Sequence, residues 1–259
     1  MLHQVKSYVN YKKNSVGKHG VHSPFVFDLM RQVFDKEDNF YAFKFIEKIR
    51  ESLKLDNTIL QIEDFGAGSK TNTSNKRTVR QLIKTSAKAP KYGQLLFRLA
   101  NYFEVENIIE LGTSLGMSTL YLANSRRYAD LYTLEGSAEI AKKAKENFNK
   151  MQLNSIKIIT GNFDDTLTPL LDKLEKIDFV FFDGNHKEEP TLQYFEKCLT
   201  KIHNNTIFVF DDIYWSKEMT SAWQTIKANK RVTITLDIFE MGIVFFRKEL
   251  PKQDLIINY

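Results

Sequence analysis

The sequence predicts an α/β protein: a doubly wound, seven-stranded sheet closed by a terminal antiparallel hairpin, behind a mainly helical N-terminal extension. Three observations carry this. From Asn107 onward, short β-type runs alternate with amphipathic stretches. The last two runs stand four residues apart, too close for a crossover helix, so they pair antiparallel. Before residue 60, aromatic residues recur between charged ones in a helix-like pattern.

The runs are Ile108–Leu111, Leu131–Leu134, Ile156–Thr160, Phe179–Phe182, Ile207–Phe210, Val232–Ile238 and Ile243–Phe246. In the stretch after the second run, Ile140, Ala141, Ala144 and Phe148 fall at helical spacing, with Lys142, Lys143 and Lys145 between them. Alternation on this scale means a parallel sheet covered on both faces, with the strands' carboxyl ends gathered on one edge where ligands bind. Pro90 closes the first zone, which gives an extension over residues 1–90 and a sheet domain over 91–259.

The chain has 259 residues and 42% hydrophobic composition, enough for a substantial core. A lone cysteine, Cys198, excludes an internal disulfide and a cysteine-based zinc site. No apolar run approaches the ~18 residues of a membrane span. The first residues lack the apolar segment of a secretory signal, so a cytoplasmic location is expected. The net charge of +5 is uneven: residues 1–90 carry 16 basic and 9 acidic residues, and the rest carry 21 and 23. Seven basic residues and no acid lie between Lys70 and Lys91. That stretch is either a solvated loop or a guide for an anionic substrate or nucleic acid.

The first strand-to-helix turn reads Glu110-Leu111-Gly112-Thr113-Ser114-Leu115-Gly116-Met117-Ser118. Glycines here allow close backbone approach to a ligand, or simply a tight turn. The G-x-x-x-G spacing is not that of a pyrophosphate cradle, and a carboxylate at 110 suits a ligand carrying an amine. The second strand ends at Glu135-Gly136-Ser137, where an acid can accept from both hydroxyls of a ribose. The third ends at Gly161-Asn162-Phe163, fit for an adenine edge and face or for a plain turn.

Together these tips resemble the cofactor site of class I S-adenosylmethionine-dependent methyltransferases, over about residues 90–248, and the Rossmann-like sheet with its terminal hairpin is that family's fold. Tyr92-Gly93-Gln94-Leu95-Leu96 is similar to the small-molecule O-methyltransferases of the catechol and caffeoyl-coenzyme A type. The resemblance implies that Glu110, Gly112 and Thr113 hold the methionine end, with Gly93, Gly116 and Ser118 beside them. It places Glu135 and Gly136 at the ribose and Asn162 with Phe163 at the adenine, and counts Asp183 among the cofactor contacts.

The fourth and fifth strands end at Asp183-Gly184-Asn185-His186 and Asp211-Asp212-Ile213-Tyr214-Trp215. Convergence of Asp183, Asp211 and Asp212 would give three hard oxygen donors for Mg²⁺, which would acidify a bound hydroxyl. The family carries Asp-Asn on the fifth strand where this chain has Asp211-Asp212. Asp-Gly-x-His also resembles sugar O-methyltransferases, which implies that His186, with Asp183, is the catalytic pair and His186 the general base. The alternative is that these acids cap helices beginning near Lys187 and Ser216.

Two further segments stand out. Ser23-Pro24 is expected to start a helix after His19 and His22, and Phe65-Gly66-Ala67-Gly68 is either a ligand loop or an ordinary turn. The expected activity is metal-assisted O-methylation of a small hydroxylated molecule, with residues 1–90 covering the site. A nucleic-acid or protein methyltransferase and a non-catalytic S-adenosylmethionine-binding module are the alternatives. The aromatic-rich N-terminal zone offers a homodimer surface.

Overall fold

A computed structural model describes residues 2–36, 40–62 and 76–259. Two compact units emerge: Met1–Lys36 groups with Leu174–Tyr259, and Glu37–Lys173 forms the other. In chain order the first unit opens with α1 (Leu2–Asn14) and α2 (Pro24–Leu29). Ser23 caps α2, its Oγ accepting from the Val26 N–H, and Pro24 occupies the first helical position as expected. The helix runs on as a wider π turn over Met30–Phe34.

The Glu37–Lys173 unit follows with α3 (Tyr41–Lys54), β1 (Ile59–Gln61), β2 (Lys76–Thr78), α4 (Val79–Ser86) and α5 (Pro90–Tyr102). It continues with β3 (Asn107–Leu111), α6 (Met117–Ser125), β4 (Asp130–Glu135), α7 (Ala138–Lys150), β5 (Lys157–Thr160) and α8 (Phe163–Asp172). β3, β4 and β5 are parallel, with Glu110 opposite Thr133 and Glu135 opposite Thr160. β1 and β2 form a separate antiparallel pair. A reciprocal pair of bonds between Thr78 and Gln81 starts α4. Phe43, Ile46, Leu82, Ile83, Leu120 and Phe148 pack into one core.

The chain then returns to the first unit with β6 (Ile177–Phe182), α9 (Glu188–Leu199), β7 (Ile202–Asp211), α10 (Lys217–Ala228), β8 (Ile234–Asp237), β9 (Met241–Phe245) and β10 (Gln253–Ile256). β6 is buried at every position, which is why it reads after Asp178 as a continuous apolar run, Phe179–Phe182, rather than an alternating one. β7 pairs parallel with β6 and antiparallel with β9, and β8 and β9 form the expected hairpin.

All seven expected runs are strands. The expected seven-stranded count is corrected by β10, an eighth strand parallel to β8. Pro251 and the polar Gln253-Asp254 hid it, since only Leu255 and Ile256 give it β character. The C-terminus is also tied to α1: the buried Tyr11 hydroxyl donates to the Ile257 carbonyl at 2.7 Å, 246 positions away.

The β8–β9 turn is locked by a buried acid. Asp237 accepts from the Tyr214 hydroxyl at 2.5 Å and from the Phe239 N–H at 2.9 Å. Burial pushes the Asp237 carboxyl above its ordinary range. The Phe239 ring stacks on Tyr214 and takes the edge of Tyr8.

Candidate functional site

The expected cofactor residues of the Glu37–Lys173 unit gather at the carboxyl ends of β3, β4 and β5. Glu110 is fully buried and saturated by hydroxyls. Ser118 donates to Oε1 at 2.5 Å, while Thr119 and Thr133 donate to Oε2 at 2.5 and 2.6 Å. Burial pushes its carboxyl up to about 7, against the lowering pull of those three hydroxyls. The ring continues through Thr133, whose Oγ1 lies 2.6 Å from Thr113 Oγ1. Glu110 therefore fixes the first turn of α6 and the turn before it from below.

Glu135 fixes the same turn from the side. Its Oε2 accepts from the Ser114 N–H at 2.8 Å, and its Oε1 from the Ser137 N–H at 3.0 Å. The turn is closed within itself: the Gly112 and Thr113 N–H groups both donate to the Leu134 carbonyl, and the Gly116 N–H donates to that of Thr113. Ser114 adopts φ 46° and Gly112 φ 106°. This is a preformed concave turn, with side chains holding backbone rather than waiting for it to order.

Other expected contacts take structural roles. A Cβ on Gly116 would stand 2.4 Å from the Phe148 ring, so this glycine lets α6 close onto α7. A Cβ on Gly93 would stand 2.3 Å from the Tyr121 ring, so its bareness serves the packing of α5 against α6. Asn162 caps α8, accepting from the Asp164 N–H at 3.2 Å. Phe163 begins that helix and is half-buried, and Gly136 lies between the two amides-and-carboxylate contacts of Glu135. Sequence reasoning missed Thr119 and Thr133; a threonine in register with a buried acid was the available signal.

In the other unit, His186 Nε2 lies 3.6 Å from Asp183 Oδ1, both side chains being mostly buried. Asn185 before it takes φ 56°, which turns the chain so that i and i+3 meet. Asp211 ends β7 and is buried. Asp212 takes φ 55°, with its N–H on the Glu240 carbonyl at 2.8 Å.

Among the described residues, no three His, Cys, Asp or Glu side chains group as a metal ion requires. Asp183, Asp211 and Asp212 thus do not form the expected triad. Asp211 continues the strand while Asp212 turns into the contact with the β8–β9 turn, and successive side chains at a strand end diverge. Capping does not explain them either: Ser216 caps α10 through the Met219 N–H, and α9 has no side-chain cap at Lys187. The Gly66–Gly68 segment and Lys70 lie outside the described residues.

Residues 109–213, which include both strand-tip groups, match a family model described as a methyltransferase domain. A catechol O-methyltransferase of Niastella koreensis is 31% identical over 128 residues, which cover 48% of this chain and 57% of that relative. The chain spans between about half and two thirds of the length of the first curated relatives it matches. The O-methyltransferase of Bacillus cereus in complex with SAH superposes with a TM-score of 0.57 at 20% identity, covering 85% of this chain and 97% of that one. The SAH-bound methyltransferase of Podospora anserina gives 0.61 at 15% identity, covering 88% and 100%. The chain thus has the Rossmann-like α/β fold of these solved structures.

Proposed function

We propose that this protein is an S-adenosylmethionine-dependent O-methyltransferase acting on a small hydroxylated molecule. The observation that carries the reading is the Gly112–Gly116 turn held by two carboxylates, Glu110 beneath and Glu135 beside it. Bound there, S-adenosylmethionine supplies a methyl group on sulfonium sulfur. Glu135 would accept from the ribose hydroxyls, and the turn would hold the methionine end. The acceptor oxygen must lose its proton as it attacks, and His186 takes that proton at Nε2, with Asp183 steadying the resulting imidazolium. The reaction balances as acceptor O–H plus methyl donor giving methyl ether, SAH and a proton on His186. Among the described residues Asp183, Asp211 and Asp212 do not group as a metal ion requires, and His186 is the base this reading uses.

Calorimetric titration with SAH, in chelator and again in Mg²⁺, tests the cofactor. Micromolar binding in both buffers is the expected result, and no binding in either overturns the reading. Methyl transfer to a panel of catechols and sugars, with and without chelator, then tests the acceptor class. His186→Ala should abolish turnover on any acceptor found and leave SAH affinity within about twofold.

A further inference from the structure

We propose that the outer face of α1 docks onto an anionic lipid surface. This stands apart from the methyl-transfer reading and rests on the inverted polarity of the helix. The side chains α1 commits to the rest of its unit are the rings of Tyr8 and Tyr11, packed on Phe239, and two polar contacts. His3 Nε2 lies 3.0 Å from Thr220 Oγ1, and the Tyr11 hydroxyl meets the Ile257 carbonyl. Its apolar residues face outward instead: Leu2 is 90% exposed, Val5 61% and Val9 62%.

These three sit at i, i+3 and i+7, within about 60° of one another around the helix at roughly 100° per residue. On the same turns of arc, Lys12 borders the strip on one side and Lys6 and Lys13 on the other, all exposed. The first 27 residues hold four lysines and no acidic residue. A water-facing helix of a soluble domain ordinarily shows the reverse arrangement. An apolar strip between lysine rails suits a helix lying in a lipid headgroup layer, with ammonium groups reaching back to phosphates.

A second observation extends the patch. The Thr220 hydroxyl that meets His3 also lies within bonding distance of the Ile213 and Ser216 carbonyls, at 3.3 and 3.0 Å. The loop so anchored carries Trp215, which is 41% exposed. Tryptophan is a side chain enriched at membrane–water interfaces.

Charge decides between occupants. A second copy packed face to face would oppose lysines to lysines, with no carboxylate in the segment to neutralise them. An anionic bilayer offers the complementary sign. Among the described residues no helix is long and apolar enough to cross a membrane, so the contact is peripheral.

The test is co-sedimentation of the full chain with vesicles of phosphatidylcholine alone and of phosphatidylcholine with one third phosphatidylglycerol. The expected result is at least about tenfold stronger binding to the anionic vesicles, weakened by added salt. Val5→Asp combined with Val9→Asp should abolish it, and because both sites are exposed the circular dichroism spectrum should not change. Lys6→Gln with Lys13→Gln should weaken it. Equal binding to both vesicle types, or full binding by the double aspartate variant, overturns the proposal. So does a concentration-dependent dimer, seen by sedimentation velocity, that the same aspartates dissociate, since that would give the face to a second copy.

Discussion

Replacing Glu110 by glutamine should change how stability depends on pH. In the folded chain burial lifts this carboxyl from its ordinary 4.5 to about 7. Below pH 4.5 the group is protonated whether the chain is folded or not, and it imposes no pH-dependent cost. Between 4.5 and 7 the unfolded chain ionises first, so folding stability falls as the pH rises. Above 7 both states are ionised and the deficit is constant. At about 1.4 kcal/mol per pH unit, the rise amounts to ~3 kcal/mol. Glutamine cannot ionise, so Glu110→Gln removes this slope whatever fixed offset it introduces. Urea unfolding of both proteins at intervals from pH 4.5 to 8 measures it. The variant should gain ~3 kcal/mol relative to the parent across that range. Other titrating groups, Asp237 among them, are common to both proteins and cancel in the comparison. Parallel curves, separated by a constant to within about 0.5 kcal/mol, would refute the claim that Glu110 is buried in a dry ring of hydroxyls.

Three further outcomes follow from the geometry. Gly116→Ala places a side chain at φ 82° and 2.4 Å from the Phe148 ring, and should cost ~3 kcal/mol of stability, read as a fall in melting temperature. Thr78→Ala removes the hydroxyl that accepts from the Gln81 N–H at the start of α4 and should cost about 1 kcal/mol in denaturant unfolding. Tyr214→Phe takes a donor from the buried Asp237 and lifts that carboxyl further, so the loss, about 2 kcal/mol at neutral pH, should shrink as the pH falls and Asp237 takes up its proton.

The fold was legible because its signal is repeated. Each β-type run of four to seven residues, set against its flanking stretches, names a strand independently of its neighbours. The strand that escaped, Gln253–Ile256, has half its residues polar and borrows its order from β8. The strand tips were legible as positions, but not as contacts. Glu110 reads as a ligand carboxylate, and the sequence does not show that Ser118, Thr119 and Thr133 satisfy it, because they come from a helix and another strand. Gly93 and Gly116 look like room for a ligand, yet the space is taken by the rings of Tyr121 and Phe148. Three aspartates near two strand ends look convergent in one dimension. Among the described residues they do not group as a metal ion requires, and Asp212 takes a left-handed backbone that the sequence does not announce.

The bond between Tyr11 and Ile257 has a consequence for biosynthesis. Residues 37–173 form one unit that is contiguous in sequence. Residues 1–36 emerge earlier, yet their partners are made last. Tyr11 must wait for a residue 246 positions downstream, a delay of roughly 12–50 s at bacterial to eukaryotic elongation rates. During that interval α1 has no tertiary support, and a 13-residue helix is marginal alone in water. The nascent chain therefore matures from the middle outward, and its first segment is the natural client for a ribosome-associated chaperone.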